Sequence, residues 1–236
     1  MTQDDEKKII LFLVEGEHDV AALNEPFKNV LMKYSQNKNI KLEFTYGDIT
    51  SDIENRRESI SHVVSNHVRG YCEEYFLEKD DILQAVLLLD MDGAYTECEM
   101  VQDDTLENTF YGENSIICKN PTELQRTHEQ KRKQMDTLIT LKKVFGGIPF
   151  RLYFMSCNLD HVICGNANND DKYRASEDFK HNYEKNADEF IAFFNNPEII
   201  LSNDYAESWD AIRQGENSLK RYSNINIFLK SNLDKL

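Results

Sequence analysis

The chain has 236 residues, of which 42 are acidic and 27 basic, and its formal net charge is −15. This charge argues against a protein that holds nucleic acid by bulk electrostatic attraction, because that mode relies on a basic face. The hydrophobic fraction of 40% is typical of a globular chain and excludes a disordered one.

Two further features bound the class of protein. The first six residues, MTQDDE, are acidic, and no run approaches about 18 uncharged apolar residues, so we expect neither a signal peptide nor a membrane span and predict a cytoplasmic protein. The five cysteines are scattered and form no CxxC pair. Free thiols are therefore expected, and neither a disulfide framework nor a zinc ribbon is supported.

The first elements along the chain are two strands separated by a helix. Lys8–Val14 is a continuous apolar run, which is typical of a strand buried on both faces of a parallel sheet. Helical spacing over residues 20–34 predicts a helix. Residues 40–46 alternate in polarity, which predicts a strand closer to an edge of the sheet.

The remaining elements continue this alternation. Residues 50–52 are candidate caps for a helix over about 53–77, and Gly146-Gly147 is a candidate stop for a long polar helix. The further predicted elements are a strand at 82–89, the long polar helix at 121–144, a strand at 150–155 and a helix at 178–194.

Strands that alternate with helices predict an α/β fold, with a mostly parallel central sheet flanked by helices. We expect a core over residues 1–155, with a helical insertion at about 53–77. Residues 156–236 are expected to form a C-terminal extension packed on this core.

Acidic residues follow two of the predicted strands. Glu15-Gly16 comes directly after the first strand, and Asp19 lies four residues further on, at the start of a helix. Asp90 and Asp92 follow the apolar strand at 82–89, and residues i and i+2 share a face of an extended chain. Ligands of parallel sheets bind outside the carboxyl ends of the strands. If the two strands are neighbours, these carboxylates converge on one site.

Carboxylates that converge repel one another unless a cation neutralises them. Their hard oxygen atoms suit Mg²⁺ or Mn²⁺. The pattern therefore predicts a metal site that contains Glu15, Asp90 and Asp92, with Asp19 as a further member.

The two segments also resemble a known family. The run from Val14 to Leu23 is similar to the first Toprim motif, an apolar strand followed by Glu-Gly-x-x-Asp and a helix start. The run from Leu88 to Asp92 is similar to the second motif, an apolar strand followed by Asp-x-Asp. The resemblance covers these motifs and their order, over about residues 8–155. It is closest to stand-alone Toprim nucleases of the OLD type and of anti-phage defence loci.

The resemblance implies a Mg²⁺-dependent or Mn²⁺-dependent endonuclease that cleaves phosphodiester bonds in DNA or RNA. Glu15, Asp90 and Asp92 would then be catalytic, and Asp19 would join them as a metal ligand for one or two ions. The family also implies an ATPase partner protein and a role in antiviral defence.

Two other groups of residues are weaker candidates. Asp160 and His161 follow the strand at 150–155 and are possible accessory residues that position water or a leaving group. A basic stretch on the long polar helix is a candidate contact for a nucleic-acid backbone, although charge runs are usually solvated faces. It comprises Arg126, Lys131, Arg132 and Lys133, and Lys142, Lys143 and Arg151 lie further along the chain.

Two alternatives remain open at this point. The segment Asp90-Met91-Asp92-Gly93 also resembles the first motif of haloacid-dehalogenase-type phosphatases, in which Asp90 would be the nucleophile and Asp92 the acid/base. That interpretation leaves Glu15-Gly16 unexplained and lacks a recognisable later lysine. The second alternative is a non-catalytic module whose acids only bind metal or a basic partner.

Overall fold

The structure is a computed structural model that describes residues 8–34, 39–47, 49–50 and 58–233. The described strands are β1 (Lys8–Val14), β2 (Ile40–Tyr46), β3 (Ile82–Asp90), β4 (Glu99–Gln102), β5 (Phe110–Tyr111), β6 (Ser115–Cys118), β7 (Lys143–Val144), β8 (Ile148–Ser156) and β9 (Tyr222–Ser223). The described α-helices are α1 (Glu17–Tyr34), α2 (Ile60–Glu74), α3 (Pro121–Thr140), α4 (Leu159–Cys164), α5 (Lys172–Tyr183), α6 (Ala187–Phe194), α7 (Tyr205–Ile212) and α8 (Ile225–Leu233).

The central sheet confirms the predicted α/β class. Four parallel strands lie in the order β2-β1-β3-β8, and β7 and β9 pair antiparallel with β8. The bounds of β1 and β2 match the predicted strands, and β2 lies at the edge as expected. The strands β3 and β8 are slightly longer than predicted.

Side-chain alternation along the strands divides the core into two helix-covered layers. Phe12 of β1 belongs to the layer that contains α1, α4, α5, α6 and α8. Leu11 and Leu13 belong to the opposite layer, which contains α2, α3 and α7. Because both faces are covered, the central strands are apolar on both sides, which explains the continuous hydrophobic run of β1.

The strand order places a topological switch point between β1 and β3. The chain leaves β1 through α1 on one face of the sheet and reaches β2 on one side of β1. Helix α2 then lies on the opposite face before β3, which pairs with the other side of β1. In open α/β sheets a crevice forms outside the carboxyl ends of two strands whose connections diverge in this way. Glu15 and Asp90 lie at this point.

Three predicted helices differ from those observed. The long polar helix ends at Thr140, not at residue 144, because Lys143 and Val144 pair with the start of β8. The helix predicted over 178–194 is two helices, α5 and α6, broken at residues 184–186.

The third difference concerns α2. This helix begins at Ile60 and is capped by the hydroxyl of Ser59. Of the expected caps, Thr50 does not lie at the start of α2 but donates a hydrogen bond to Glu15. Ser51, Asp52 and the helix start predicted near residue 53 fall outside the described residues.

A small second sheet was not predicted. Its order is β4-β6-β5, with β4 and β6 parallel and β5 antiparallel to β6. These strands have only two to four residues each, too short for a clear periodic pattern. The sheet lies between β3 and α3 in the chain and forms one wall of the region next to the crevice.

The predicted C-terminal extension completes the core. Helices α4, α5, α6 and α8 supply most of the layer that faces Phe12, and β9 pairs with Met155 and Ser156. The expected boundary at residue 155 falls inside β8. In the part of the chain that the structure describes, no helix has the length and apolar character needed to cross a bilayer.

The turn after β3 depends on a glycine. Gly93 has a φ of +68°, and a Cβ at this position would lie 2.5 Å from Leu219 Cδ2. The left-handed conformation disfavours a side chain, and Leu219 is buried against the same turn.

We therefore expect Gly93→Ala to lower the free energy of unfolding by about 2–4 kcal/mol, from left-handed backbone strain and overpacking together. Gly70→Ala is the matched control, because this residue is exposed in α2 and a Cβ there meets nothing within 4 Å. The control should stabilise the protein by about 0.5–1 kcal/mol. Urea denaturation of both variants measures the difference, and equal effects would contradict the tight turn.

Candidate functional site

Four carboxylates surround the carboxyl ends of β1 and β3. The two strands are parallel neighbours, with Leu13 opposite Leu87, so both chains leave the sheet at the same edge. The N–H of Asp90 donates to Glu15 Oε2 at 3.1 Å, which ties the two strand ends together. The predicted convergence of Glu15 and Asp90 is thus observed.

Glu15 and Asp19 are oriented by their neighbours. The Thr50 hydroxyl donates to Glu15 Oε1 at 2.5 Å. In the first turn of α1, Asp19 Oδ2 accepts the backbone N–H groups of Glu15 and Gly16 at 3.1 and 3.0 Å. Asp19 therefore closes the strand-to-helix turn, and its carboxylate lies beside that of Glu15, as the four-residue spacing predicts.

Asp90 is held from the opposite side. Its Oδ1 accepts the N–H of Leu159, the first residue of α4, at 2.9 Å. The segment that follows is fixed to the end of β8, because the N–H groups of Met91 and Asp92 both donate to Cys157 O, at 2.9 and 2.7 Å.

Asp92 adopts an unusual backbone conformation. Its φ is +51°, in the left-handed region that few non-glycine residues occupy, although aspartate tolerates it better than most. Asp92 Oδ1 lies 3.4 Å from the hydroxyl of Tyr111, and Oδ2 lies 2.5 Å from Lys131 Nζ.

Lys131 is the cation of the site. Its side chain is only 4% exposed, and its ammonium lies 2.5 Å from Asp92 and 3.8 Å from Glu15 Oε2. Both acids raise the pKa of Lys131, which stays charged despite its burial. The expectation that Lys131 belongs to a solvent-facing basic stretch is therefore wrong. A signal was present: Lys131 lies on the buried stripe of α3 with His128, Met135 and Leu138.

The other predicted basic residues are placed differently. Arg126 and Lys133 are exposed on α3, while Arg132 is partly buried and donates from Nη1 to Ala94 O at 2.6 Å. Lys142 and Lys143 lie beside the first residues of β8, on the order of 25 Å along that strand from the acidic edge. They do not join the site.

Asp160 and His161 lie in α4, next to Leu159. Asp160 is buried and accepts from Asn169 Nδ2 at 2.9 Å, with Lys172 at 3.9 Å. Burial and the charge of Arg221 lower the pKa of His161. Both residues border the site through Leu159, and neither forms a hydrogen bond or ion pair with the four carboxylates among the described residues, so an accessory role stays a prediction.

The carboxylates are held in an environment that disfavours their charge. Burial raises the pKa of Glu15 above its usual value, Lys131 opposes this, and Asp92 adds to it. Burial, aided by the charge of Glu15, raises the pKa of Asp19 to about 6. Burial, and then the charges of Asp19, Glu15 and Asp92, raise the pKa of Asp90 well above its usual value. Lys131 opposes the shifts of Glu15 and Asp90, whereas Lys172 opposes that of Asp19.

The chemistry of this donor set fits a hard divalent cation. Asp19 Oδ1 and Asp90 Oδ2 accept no hydrogen bond from the residues described, and extra positive charge would relieve the raised pKa values. As placed, however, no three His, Cys, Asp or Glu side chains within the described ranges are grouped to hold a metal ion. Metal binding would therefore require side-chain rearrangement around Lys131.

All five cysteines are free, as expected from their spacing. Cys157 is buried next to the site, where burial and the charges of Asp92 and Asp90 raise its pKa. The thiolate form that attacks electrophiles is therefore disfavoured at this position.

Comparisons with protein-family models, with curated proteins and with solved structures gave no match. A functional assignment for the crevice therefore depends on its geometry and on the motif resemblance.

The raised pKa of Asp19 gives a pH prediction. The carboxyl keeps its proton up to about pH 6 in the folded chain, but only to about pH 4 in the unfolded chain. The ionisation of Asp19 therefore lowers the stability of the wild-type protein as the pH rises through this window, and this one group causes no further loss above it. Asp19→Asn should remove this loss, since the amide oxygen still accepts the turn N–H groups.

We compare the free energy of unfolding of Asp19→Asn with that of the wild-type protein. The difference in favour of the variant should grow by on the order of 2 kcal/mol between about pH 4 and 6, and then stay level. Urea denaturation in EDTA measures it. Glu17→Gln, at an exposed acid in the same helical turn, controls for the loss of one negative charge. An advantage that is constant or shrinks over the window contradicts the raised pKa.

Proposed function

We propose that the crevice is a divalent-metal centre of Toprim type that hydrolyses phosphodiester bonds in DNA or RNA. One observation carries the proposal: four carboxylates meet at the carboxyl ends of two neighbouring parallel strands, and one buried lysine contacts two of them. The order of the two motifs along the chain supports the same interpretation.

The charge balance favours a cation as the missing component. Carboxylates that serve only as surface groups are normally solvated, whereas Glu15, Asp19 and Asp90 are desolvated enough to raise their pKa values. Strongly perturbed acids in a crevice are candidates for a functional site. The −15 net charge of the chain makes a metal a better intermediary with phosphate than the protein surface itself.

Glu15, Asp90 and Asp92 would hold the ion, and Asp19 would serve a second ion or the same one. An ion held there would supply charge neutralisation at the phosphate and would lower the pKa of a nearby water. In the hydrolysis, water oxygen forms the new bond to phosphorus, the bond to the leaving oxygen breaks, and the leaving oxygen takes up a proton.

Residues of the chain itself fix the ligands in advance. The backbone N–H of Leu159 orients Asp90, and the Thr50 hydroxyl orients Glu15. Lys131 holds Asp92 and Glu15 at one place until a competing cation enters. The contacts of Leu159 and Thr50 lower the cost of orienting these ligands, whereas the displacement of Lys131 adds to the cost of binding.

The direct test is loss of metal binding and of cleavage in Asp90→Asn and Glu15→Gln. Each variant should lower Mn²⁺-dependent cleavage of labelled DNA and RNA by at least about a hundredfold and remove the rise in unfolding temperature on addition of MgCl₂. Both should fold, because each removes a carboxylate whose charge is disfavoured by burial. Glu129→Gln, at an exposed acid on α3, is the control.

Each other outcome points to a different function. Mg²⁺ stabilisation that depends on Glu15 and Asp90, without cleavage of any nucleic acid, supports the non-catalytic metal-binding module. A phosphate trapped covalently on Asp90 supports the phosphatase. A wild-type protein that shows neither stabilisation by Mg²⁺ nor cleavage of nucleic acid would contradict the proposed metal centre.

A second test addresses competition between Lys131 and the metal. Lys131→Met keeps the length of the side chain and removes its charge, so without metal the free energy of unfolding should fall by about 3 kcal/mol. Apparent Mg²⁺ affinity should rise about tenfold, because the ion no longer displaces an ammonium. Calorimetric titration and thermal unfolding measure the two effects.

Lys133→Met is the matched control, since this residue is exposed two positions along the same helix. It should change neither quantity. Loss of Mg²⁺ stabilisation in Lys131→Met would show that the lysine assists metal binding. It would contradict the hypothesis that Lys131 and Mg²⁺ compete for the same carboxylates.

The phosphatase is the second candidate, and one contact favours it. The ammonium of Lys131 meets the Asp-x-Asp-Gly segment at Asp92, which supplies the lysine that the sequence did not reveal. Against it, the pKa of Asp90 is raised well above the usual range, which weakens a carboxylate nucleophile. The proposed ATPase partner and the role in anti-phage defence rest on the motif resemblance alone.

A further inference from the structure

A second polar cavity adjoins the acidic crevice. It measures about 650 Å³ and lies between the segment after Gly93, the amino-terminal half of α3 and the end of α7. A volume of this size is within the range of small-molecule sites in proteins. The residues that line it and matter here are Tyr95, Met100, Gln125, His128, Arg132 and Arg213.

His128 is the unusual residue of this cavity. It is 1% exposed, and neither ring nitrogen has a well-formed hydrogen bond among the described residues, although the backbone of Asp92 lies near the ring and partly opposes the lowering of its pKa. Buried polar groups are nearly always hydrogen-bonded, because an unpaired one loses its contacts with water without compensation. Burial lowers the pKa of His128 to about 4, so at neutral pH the ring offers one N–H donor and one acceptor nitrogen. A ligand with adjacent acceptor and donor groups would pair with it.

Arg132 supplies the charge. One of its N–H groups donates to Ala94 O, and it has no carboxylate partner in the part of the chain that the structure describes. Its remaining donors are suited to a phosphate, which guanidinium groups bind in a bidentate manner. Arg213 differs, because it is already paired with Asp136 and lies over the ring of Tyr95.

The walls complete the description. They are mainly polar and include Glu97, with apolar surface from Tyr95 and Met100. Gln125 contributes an amide that both donates and accepts. In the described part of the chain, a heteroaromatic ring without a well-formed hydrogen bond, beside a guanidinium without an ion-pair partner, matches a planar base joined to a phosphate better than it matches phosphate alone.

We propose that this cavity binds a nucleoside monophosphate unit, with the phosphate at Arg132 and the base edge at His128. The same chemistry comes from a free mononucleotide or from one nucleotide of a single strand. The claim concerns binding and does not require the nuclease activity, although a bound strand would continue toward Asp92 through the segment 93–95.

The experiment is calorimetric titration of the full-length protein in EDTA, so that metal binding and cleavage play no part. The ligands are the four common ribonucleoside 5′-monophosphates, inorganic phosphate and a five-nucleotide single strand. At least one mononucleotide should bind about tenfold or more tightly than inorganic phosphate. No binding of any mononucleotide or of the strand, or equal affinity for phosphate and mononucleotides, would overturn the proposal.

Variants locate the two contacts. Arg132→Gln should weaken nucleotide binding at least about tenfold, whereas Arg126→Gln, which removes the same charge from an exposed position of α3, should change it less than about twofold. His128→Phe keeps a ring in the buried site and should weaken nucleotide binding without affecting inorganic phosphate. Equal effects of Arg132→Gln and Arg126→Gln would show general electrostatics and reject the site.

The ligand series also separates the two sources. If the five-nucleotide strand binds more tightly than any mononucleotide, and Arg132→Gln weakens both to the same extent, the cavity holds a nucleotide within a strand. If only a mononucleotide binds, the ligand is a free nucleotide. Asp90→Asn should retain nucleotide binding. A protein that binds nucleotides here but lacks metal-dependent cleavage would therefore refute only the nuclease.

Discussion

Four carboxylates held against one ammonium at the edge of a hydrophobic sheet form the constraint on which the site depends. At an effective dielectric constant of about 20, two like charges about 4 Å apart repel by about 4 kcal/mol. The fold sustains this repulsion because two apolar layers lock β1 and β3 side by side, and the acids cannot separate without unpairing the strands. Lys131 offsets part of it by contacting Asp92 and Glu15, and the charge of Lys172 acts on Asp19.

Backbone amides hold the acids in place together with Lys131. N–H groups of residues 15, 16, 90 and 159 each donate to one of these carboxylates. These donors belong to strand ends and helix starts, where backbone N–H groups have no partner within their own element. The site is thus built from positions that every βα turn leaves unsatisfied, and only the acidic side chains are specific to this chain.

The sequence predicted most of this edge, because its signals are local. A continuous apolar run followed by Glu15, and another followed by Asp90, mark buried strands and their ends, and parallel strands bring such ends together. The longest helix was predicted too long because pairing of Val144 with Ile148 overrides helical spacing at residues 143–144. The helix predicted over 178–194 is broken where Tyr183 and Phe193 pack ring against ring across the two shorter helices.

Lys131 was misinterpreted for a different reason. Its neighbours Arg132 and Lys133 are also basic, so composition suggested a solvated face, whereas the period of α3 assigns Lys131 and His128 to the stripe that continues with Met135 and Leu138. Polar residues at core positions of an amphipathic helix are expensive unless they meet a partner. Lys131 meets Asp92 and Glu15, and His128, one turn earlier, meets the neighbouring cavity. Helix α3 therefore carries both polar functions on one buried face, and a shift of this helix along its axis would alter the two sites together.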